Sequence, residues 1–325
     1  MNTLQIENQW KKIEIIDENG LSYLRIDGKC LPELCIAVNK HNHRCLMLKL
    51  SKDYKTSFYG EEKENIITSY SSNGHYILLE LLDSYYNTLF NDLIISLYYK
   101  IKDIPVPSES TNTFISTINK WASFLENSKN SKLSKEIIKG LYGELVVLKD
   151  YLSEANIQSV NEILKAWTGP YDANNDFVFE NLNIEVKTKN TASSLVKISS
   201  AFQLDDEPGK SLKLLVVSVD SGNNSIETIK IIFNKIRNII LELNGDLSIL
   251  TDALSQKSLF PSNLKDYDDF KFKPKSLKVY DCTSVIDNEG FPRIKDSDIP
   301  DQLKSVSYNI NLHELEKFII NIKEY

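Results

Sequence analysis

Asp176, Glu185 and Lys187, with Glu144 upstream, are the residues of this chain whose types and spacing can do chemistry. Asp176 opens a short apolar run, Phe177-Val178-Phe179. The polar turn Glu180-Asn181-Leu182-Asn183 follows, then a second β-type run, Ile184-Glu185-Val186-Lys187-Thr188. Side chains alternate along a strand, so Glu185 and Lys187 share one face while Ile184, Val186 and Thr188 take the other. Cleavage of a phosphodiester needs an activated water, neutralisation of charge on the phosphate and help for the leaving oxygen. A hard divalent cation, Mg²⁺ or Mn²⁺, supplies much of this and prefers oxygen ligands. Asp176 and Glu185 can donate carboxylates and Val186 a backbone carbonyl. Lys187 can orient or help deprotonate the water and stabilise charge developing on phosphorus. Glu144 enters as an outer organiser or as ligand of a second ion. Lys189 and Lys197 can contact a phosphate backbone.

These side chains need a scaffold. Ser134 is a good N-cap for a helix running to about residue 153. At 100° per residue, Ile137, Leu141, Leu148 and Leu152 form its apolar stripe, and Glu144 falls in the middle of it. A carboxylate there is costly unless it is paired or binds a metal. Gly140, one turn earlier, is expected to let the helix approach a sheet closely. A short helix is expected over 199–204, a strongly apolar strand over 212–219 and an amphipathic helix over 226–243. The order helix, strand, strand, strand, helix in 134–243 is an α/β pattern with a mixed sheet.

Upstream, residues 1–107 read as a β-rich region. The runs 13–16, 21–26, 34–38 and 45–50 are separated by turn formers, including 17–20 and 39–43. A helix follows Asp83, residues 104–111 read as a linker, and 113–125 as a helix. The 108–248 segment is the expected core. Residues 249–325 form a C-terminal extension packed on it, with strands near 277–280 and 306–312 and a final helix through Leu315 and Ile319.

Bulk properties narrow the function classes. The chain has 325 residues, 42% of them hydrophobic and 26% charged, which suits a globular protein. A net charge of −7 argues against coating DNA by bulk electrostatics, though not against a local basic groove. Four arginines (Arg25, Arg44, Arg237, Arg293) argue against extensive bidentate reading of guanine edges. No apolar run approaches the ~20 residues of a membrane span. The first residues lack a signal-peptide pattern, so the expected location is the cytoplasm. The four cysteines make no disulfide framework. Cys30, Cys35, His41, His43 and Cys45 match no standard zinc spacing. The lysines at 271, 273, 275 and 278 read as a solvated strand face rather than a nucleic-acid contact. Trp121 and Trp167 read as packing residues.

The set Asp176…Glu185-Val186-Lys187 resembles the PD-(D/E)XK phosphodiesterase signature. The strings Gly140-Leu-Tyr-Gly-Glu-Leu145, Trp167-Thr-Gly-Pro170, Ile198-Ser-Ser-Ala-Phe-Gln-Leu204 and Phe291-Pro-Arg-Ile294 resemble a bacterial PD-(D/E)XK family found near restriction and phage-defence genes. The resemblance spans most of the chain. It implies the restriction-endonuclease-like αβββαβ fold, with Glu144 as the acid of the first helix and Gln203 as the glutamine of the following one. The implied catalytic set is Asp176, Glu185, Lys187, Glu144 and Gln203. The implied metal ligands are Asp176, Glu185 and Glu144, holding Mg²⁺ or Mn²⁺. The proline of the signature is absent, Asn175 standing in its place, and Asp172 is the alternative acid. The expected function is a metal-dependent DNA endonuclease of a restriction or phage-defence system, as a homodimer or a subunit of a multi-protein complex. The alternative is a non-catalytic subunit of the same fold, acting in DNA binding or complex assembly.

Overall fold

A computed structural model describes residues 1, 3–13, 20–54, 56, 58–126, 132–222, 225–295, 299–300 and 306–325, apart from the side chains of 123, 124 and 126. The chain divides into two compact units. The first comprises Met1–Asn130, Asp246–Thr251 and Phe260–Ser262; the second comprises Ser131–Gly245, Asp252–Leu259 and Asn263–Tyr325.

The first unit opens with α1 (Thr3–Trp10), which the sequence reading did not foresee. A six-stranded antiparallel sheet follows, built from β1 (Ser22–Arg25), β2 (Glu33–Val38), β3 (Arg44–Lys49), β4 (Gly60–Glu62), β5 (Ile66–Ser71) and β6 (Tyr76–Leu81), in the order β1-β2-β3-β6-β5-β4. The expected strand at 13–16 and the turn at 17–20 lie almost wholly outside the described residues. β2 and β3 are buried along four central positions each, which suits their unbroken apolar runs. Cys30, Cys35 and Cys45 are buried, and His43 pairs with Glu80 at 2.7 Å. The helices α2 (Asn87–Ile101) and α3 (Pro107–Glu126) complete this part. The expected linker over 104–111 is helical from Pro107 onward. Pro107 is the first residue of a helix, where its fixed φ and missing N–H cost nothing.

The second unit carries α4 (Lys135–Ser153), α5 (Val160–Ala166), β7 (Phe177–Val178), β8 (Leu182–Asn190), β9 (Leu195–Ile198), β10 (Ser211–Asp220), α6 (Ile229–Glu242), the end of α7 (Leu247–Gln256), β11 (Lys273–Asp281), β12 (Val285–Ile286), β13 (Glu289–Gly290), β14 (Tyr308–Asn311) and β15 (Ile319–Glu324). Its central sheet is mixed, in the order β15-β11-β10-β8-β7. β8 and β10 run parallel, while the other neighbours are antiparallel. Through α4, β7, β8, β10, α6 and β11 this is the expected αβββαβ arrangement, a mixed sheet flanked by helices. The tail departs from expectation: the 3₁₀ segment Leu312–Phe318 leads into strand β15, not a final helix. Ile319 there pairs with Tyr280 and extends the sheet.

Two observations fix how α4 meets the sheet. Ser134 caps it, its hydroxyl accepting from the Ile137 amide. A Cβ on Gly143 would fall 1.8 Å from Thr188 Oγ1, whereas one on Gly140 would meet nothing within 4 Å. The glycine that admits the close approach is therefore Gly143. The apolar stripe is shifted to match: Ile137 is 50% exposed, and the buried positions include Ile138, Leu141, Tyr142, Leu145 and Leu148. The opposite sheet face carries a second core, with Leu212, Leu214, Val216, Val196, Ile198, Tyr280 and Phe318 among its members.

Candidate active site

β7 is only two residues long. It pairs Phe177 with Ile184 and Val178 with Asn183, and then the chain leaves the sheet edge. The edge of β8 beyond Ile184 loses its ladder partner there, and a buried amide without an acceptor is costly. Asp176, immediately before β7, fills the gap: the Val186 amide donates to its Oδ2 at 2.7 Å. The expected acid is thus held at the point where the two strands diverge.

Alternation along β8 puts Glu185 and Lys187 on the sheet face opposite α4. Their register partners on β10 are Leu214 and Val216, both members of the second core. Glu185 is 1% exposed. Lys187 Nζ donates to Glu185 Oε1 at 2.6 Å and to Gln203 Oε1 at 3.0 Å. The Gln203 side-chain oxygen also accepts from the Ser199 amide at 2.8 Å. Gln203 sits on a 3₁₀ turn, Ala201–Leu204, where a short helix is expected. Asn175, standing where the signature has proline, donates through Nδ2 to the Gln203 carbonyl at 2.9 Å. It thereby ties the acid's neighbour to the turn that holds the lysine.

Glu144 arrives from α4. Its Oε2 accepts from the Trp167 indole at 2.9 Å. A Cβ on Gly169 would lie 2.6 Å from Glu144 Oε2 and 2.7 Å from Asp176 Oδ1, so both carboxylates border one notch. Glu185 is buried and Glu144 and Asp176 are partly buried, and carboxylates withdrawn from water in this way hold their protons more tightly. Burial, then the neighbouring Asp176, push Glu144 up to about 8. Burial raises Asp176, against the Val186 amide and Lys187, which lower it. Burial and Asp176 raise Glu185 well above the usual carboxylate range, against Lys187. Lys257 also lowers Glu144 and Asp176 through its charge, and nothing in the sequence pattern marked it.

The donor set fits a hard divalent cation. It offers carboxylate oxygens, a buried Glu185 Oε2 without a hydrogen-bond partner, and a notch free of side chain at Gly169. Among the described residues, no three His, Cys, Asp or Glu side chains are gathered into a ready-made cage. The charge beside Glu185 is instead the Lys187 ammonium.

The remaining candidates lie further out. Asp172 is exposed, has a left-handed backbone and pairs with Lys257, the same lysine whose charge reaches Glu144 and Asp176. Lys197 lies exposed on β9. Lys189 is partly buried on the same strand face as Lys187, and its pKa is lowered by burial and by Lys278. Lys278 stands in register with Val216, the β10 partner of Lys187. Trp167, expected as packing, is also a hydrogen-bond donor. The only advance signal of that was its place in the Trp167-Thr-Gly-Pro170 string.

Over residues 6–313 the chain matches the model of a family described as "Putative PD-(D/E)XK family member" (DUF4420). No curated protein and no solved structure matches it. Among the described residues, no helix is long and apolar enough to cross a membrane.

Proposed function

The chain belongs to this PD-(D/E)XK family, and on that premise we propose that it is a metal-dependent DNA endonuclease of a bacterial restriction or phage-defence system. The carrying observation is the convergence, where β7 leaves β8, of Asp176, Glu185 and Lys187 with Glu144 beside them. Asp176, Glu185 and Glu144 would hold Mg²⁺ or Mn²⁺, which supplies Lewis acidity and a more acidic bound water. Lys187 is the one cation of the set. Between Glu185 and Gln203 its ammonium is aimed and can orient the attacking water and offset charge developing on phosphorus. Gln203 fixes that aim. Lys189 and Lys197 contact the phosphate backbone, and Lys278 joins them from β11. The protein works in the cytoplasm, as a homodimer or as a subunit of a multi-protein complex.

Purified protein with plasmid and phage DNA and Mg²⁺ or Mn²⁺ tests this, beside Asp176→Ala, Glu185→Ala and Lys187→Ala. Cleavage lost in all three folded variants supports the reading, and cleavage retained in all three ends it. The second reading, a non-catalytic subunit acting in DNA binding or complex assembly, draws on the Lys187–Glu185 pair, which already compensates the buried charge without an ion. Under that reading the protein binds Mn²⁺ no better than its Asp176→Ala variant.

A further inference from the structure

Trp167 hydrogen-bonds to the Glu144 carboxylate, and Thr168 and Gly169 hydrogen-bond to the backbone at Asn175 and Asp176. The Trp167 indole donates to Glu144 Oε2 at 2.9 Å. The amides of Thr168 and Gly169 both donate to the Asp176 carbonyl, at 2.8 and 3.0 Å. Thr168 Oγ1 donates to the Asn175 carbonyl at 2.9 Å, and Trp167 forms a β-bridge with Phe177. One short segment therefore grips the backbone at Asp176 and, through a side chain that is 1% exposed, the carboxylate of Glu144 on a different element.

Gly169 adds a second, independent observation. Its φ lies outside the left-handed region, so no backbone conformation demands glycine there. Space does: a Cβ would come within 2.7 Å of both carboxylates. Glycine at an ordinary φ, facing two acids, keeps the gap between them free of side chain. The indole donor on Oε2 fixes the orientation of the Glu144 carboxyl at that gap.

We infer that Trp167-Thr168-Gly169 is a clip that sets the separation of Glu144 and Asp176, with Trp167 as a positioning residue and Gly169 as the space a divalent cation uses. The inference rests on the metal-dependent reading above. It assigns a role in cation affinity to two residues with no metal-ligating atom in their side chains.

The test measures Mn²⁺ binding by calorimetry or electron paramagnetic resonance in the full chain, for wild type, Gly169→Ala and Trp167→Phe. Thermal melting serves as the fold control, and Mg²⁺-induced indole emission as a second signal. Trp10 and Trp121, both in the first unit, remain in Trp167→Phe as internal controls. Loss of an outer-shell partner of this kind weakens metal binding about 10–100-fold. Both variants are expected to bind Mn²⁺ at least about tenfold more weakly while melting within a few degrees of wild type, and the emission change is expected to vanish in Trp167→Phe. A folded Gly169→Ala or Trp167→Phe with wild-type affinity overturns the inference and leaves the metal-dependent reading standing. Wild type that binds no Mn²⁺ overturns that reading, and the inference with it. If Gly169→Ala does not fold, Trp167→Phe decides.

Discussion

Replacing Glu144 by glutamine should make the protein more stable, by an amount that depends on pH. In the folded chain burial and Asp176 push this carboxyl up to about 8, from an ordinary 4.5. Below pH 4.5 the group is protonated in both folded and unfolded chains and contributes nothing. Between 4.5 and 8 the unfolded chain releases the proton and the folded one keeps it, so wild type loses stability as pH rises. Above 8 the loss levels off. Each pH unit is worth about 1.4 kcal/mol, so at pH 7 the loss is about 3 kcal/mol. Glutamine still offers Trp167 an acceptor but carries no charge. It also buries an amide N–H₂ that finds no new partner, at a cost of about 1 kcal/mol, so a net gain of about 2 kcal/mol is expected at pH 7, about 3 kcal/mol at pH 8 and about zero at pH 5. Urea unfolding in EDTA, followed by circular dichroism, reads this as a midpoint shift on the order of 1 M at pH 8 that shrinks toward pH 5. An equal shift at both pH values, or a Glu144→Gln less stable than wild type at pH 8, refutes the account of three mutually strained carboxylates.

Gly143→Ala should destabilise by about 3 kcal/mol, because its Cβ would meet the Thr188 hydroxyl. Gly140→Ala, with open space at that position, should stabilise by about 0.5–1 kcal/mol, and a thermal melt separates the two. Cys30 and Cys35 are pushed up by burial to about 11, and Cys282 to about 12. A thiol reagent at pH 8 should therefore label native protein slowly and urea-unfolded protein fast, and rapid native labelling would contradict the buried placement. Lys189→Ala and Lys278→Ala should each lower the slope of log affinity for duplex DNA against log salt by about 0.9, read by fluorescence anisotropy. An unchanged slope in both removes them from the DNA path.

Much of the site was legible because strands and helices impose periodicity. Period-two alternation put Glu185 and Lys187 on one face, and α4 does pack on the other, against Thr188. The helical period put Glu144 on the buried side of α4. The error at Gly140 came from the same arithmetic. A 100° wheel gives relative positions, but the direction of the sheet depends on tertiary contact, and the stripe turned so that Ile137 went to solvent. The segment after Phe318 was misread as helix because its apolar spacing serves either period, and strand pairing with β11 decided. Asn175, Lys257 and the Trp167 indole could not have been found from spacing. They join the site through loops, where no repeat ties position to direction.

The first unit includes residues Asp246–Thr251 and Phe260–Ser262, more than a hundred positions after its main body ends. Leu247, Ser248 and Leu250 are fully buried there, and Lys100 forms an ion pair with Asp246 at 2.9 Å. During synthesis this N-terminal body cannot be finished when its own sheet and helices have emerged. At 5–20 residues per second it waits roughly 10 s for the rest to follow. Its last apolar surface stays open to solvent meanwhile, which leaves the unfinished chain open to non-native association. The same timing means that a fragment ending near residue 130 lacks part of its own core and is a poor candidate for separate expression.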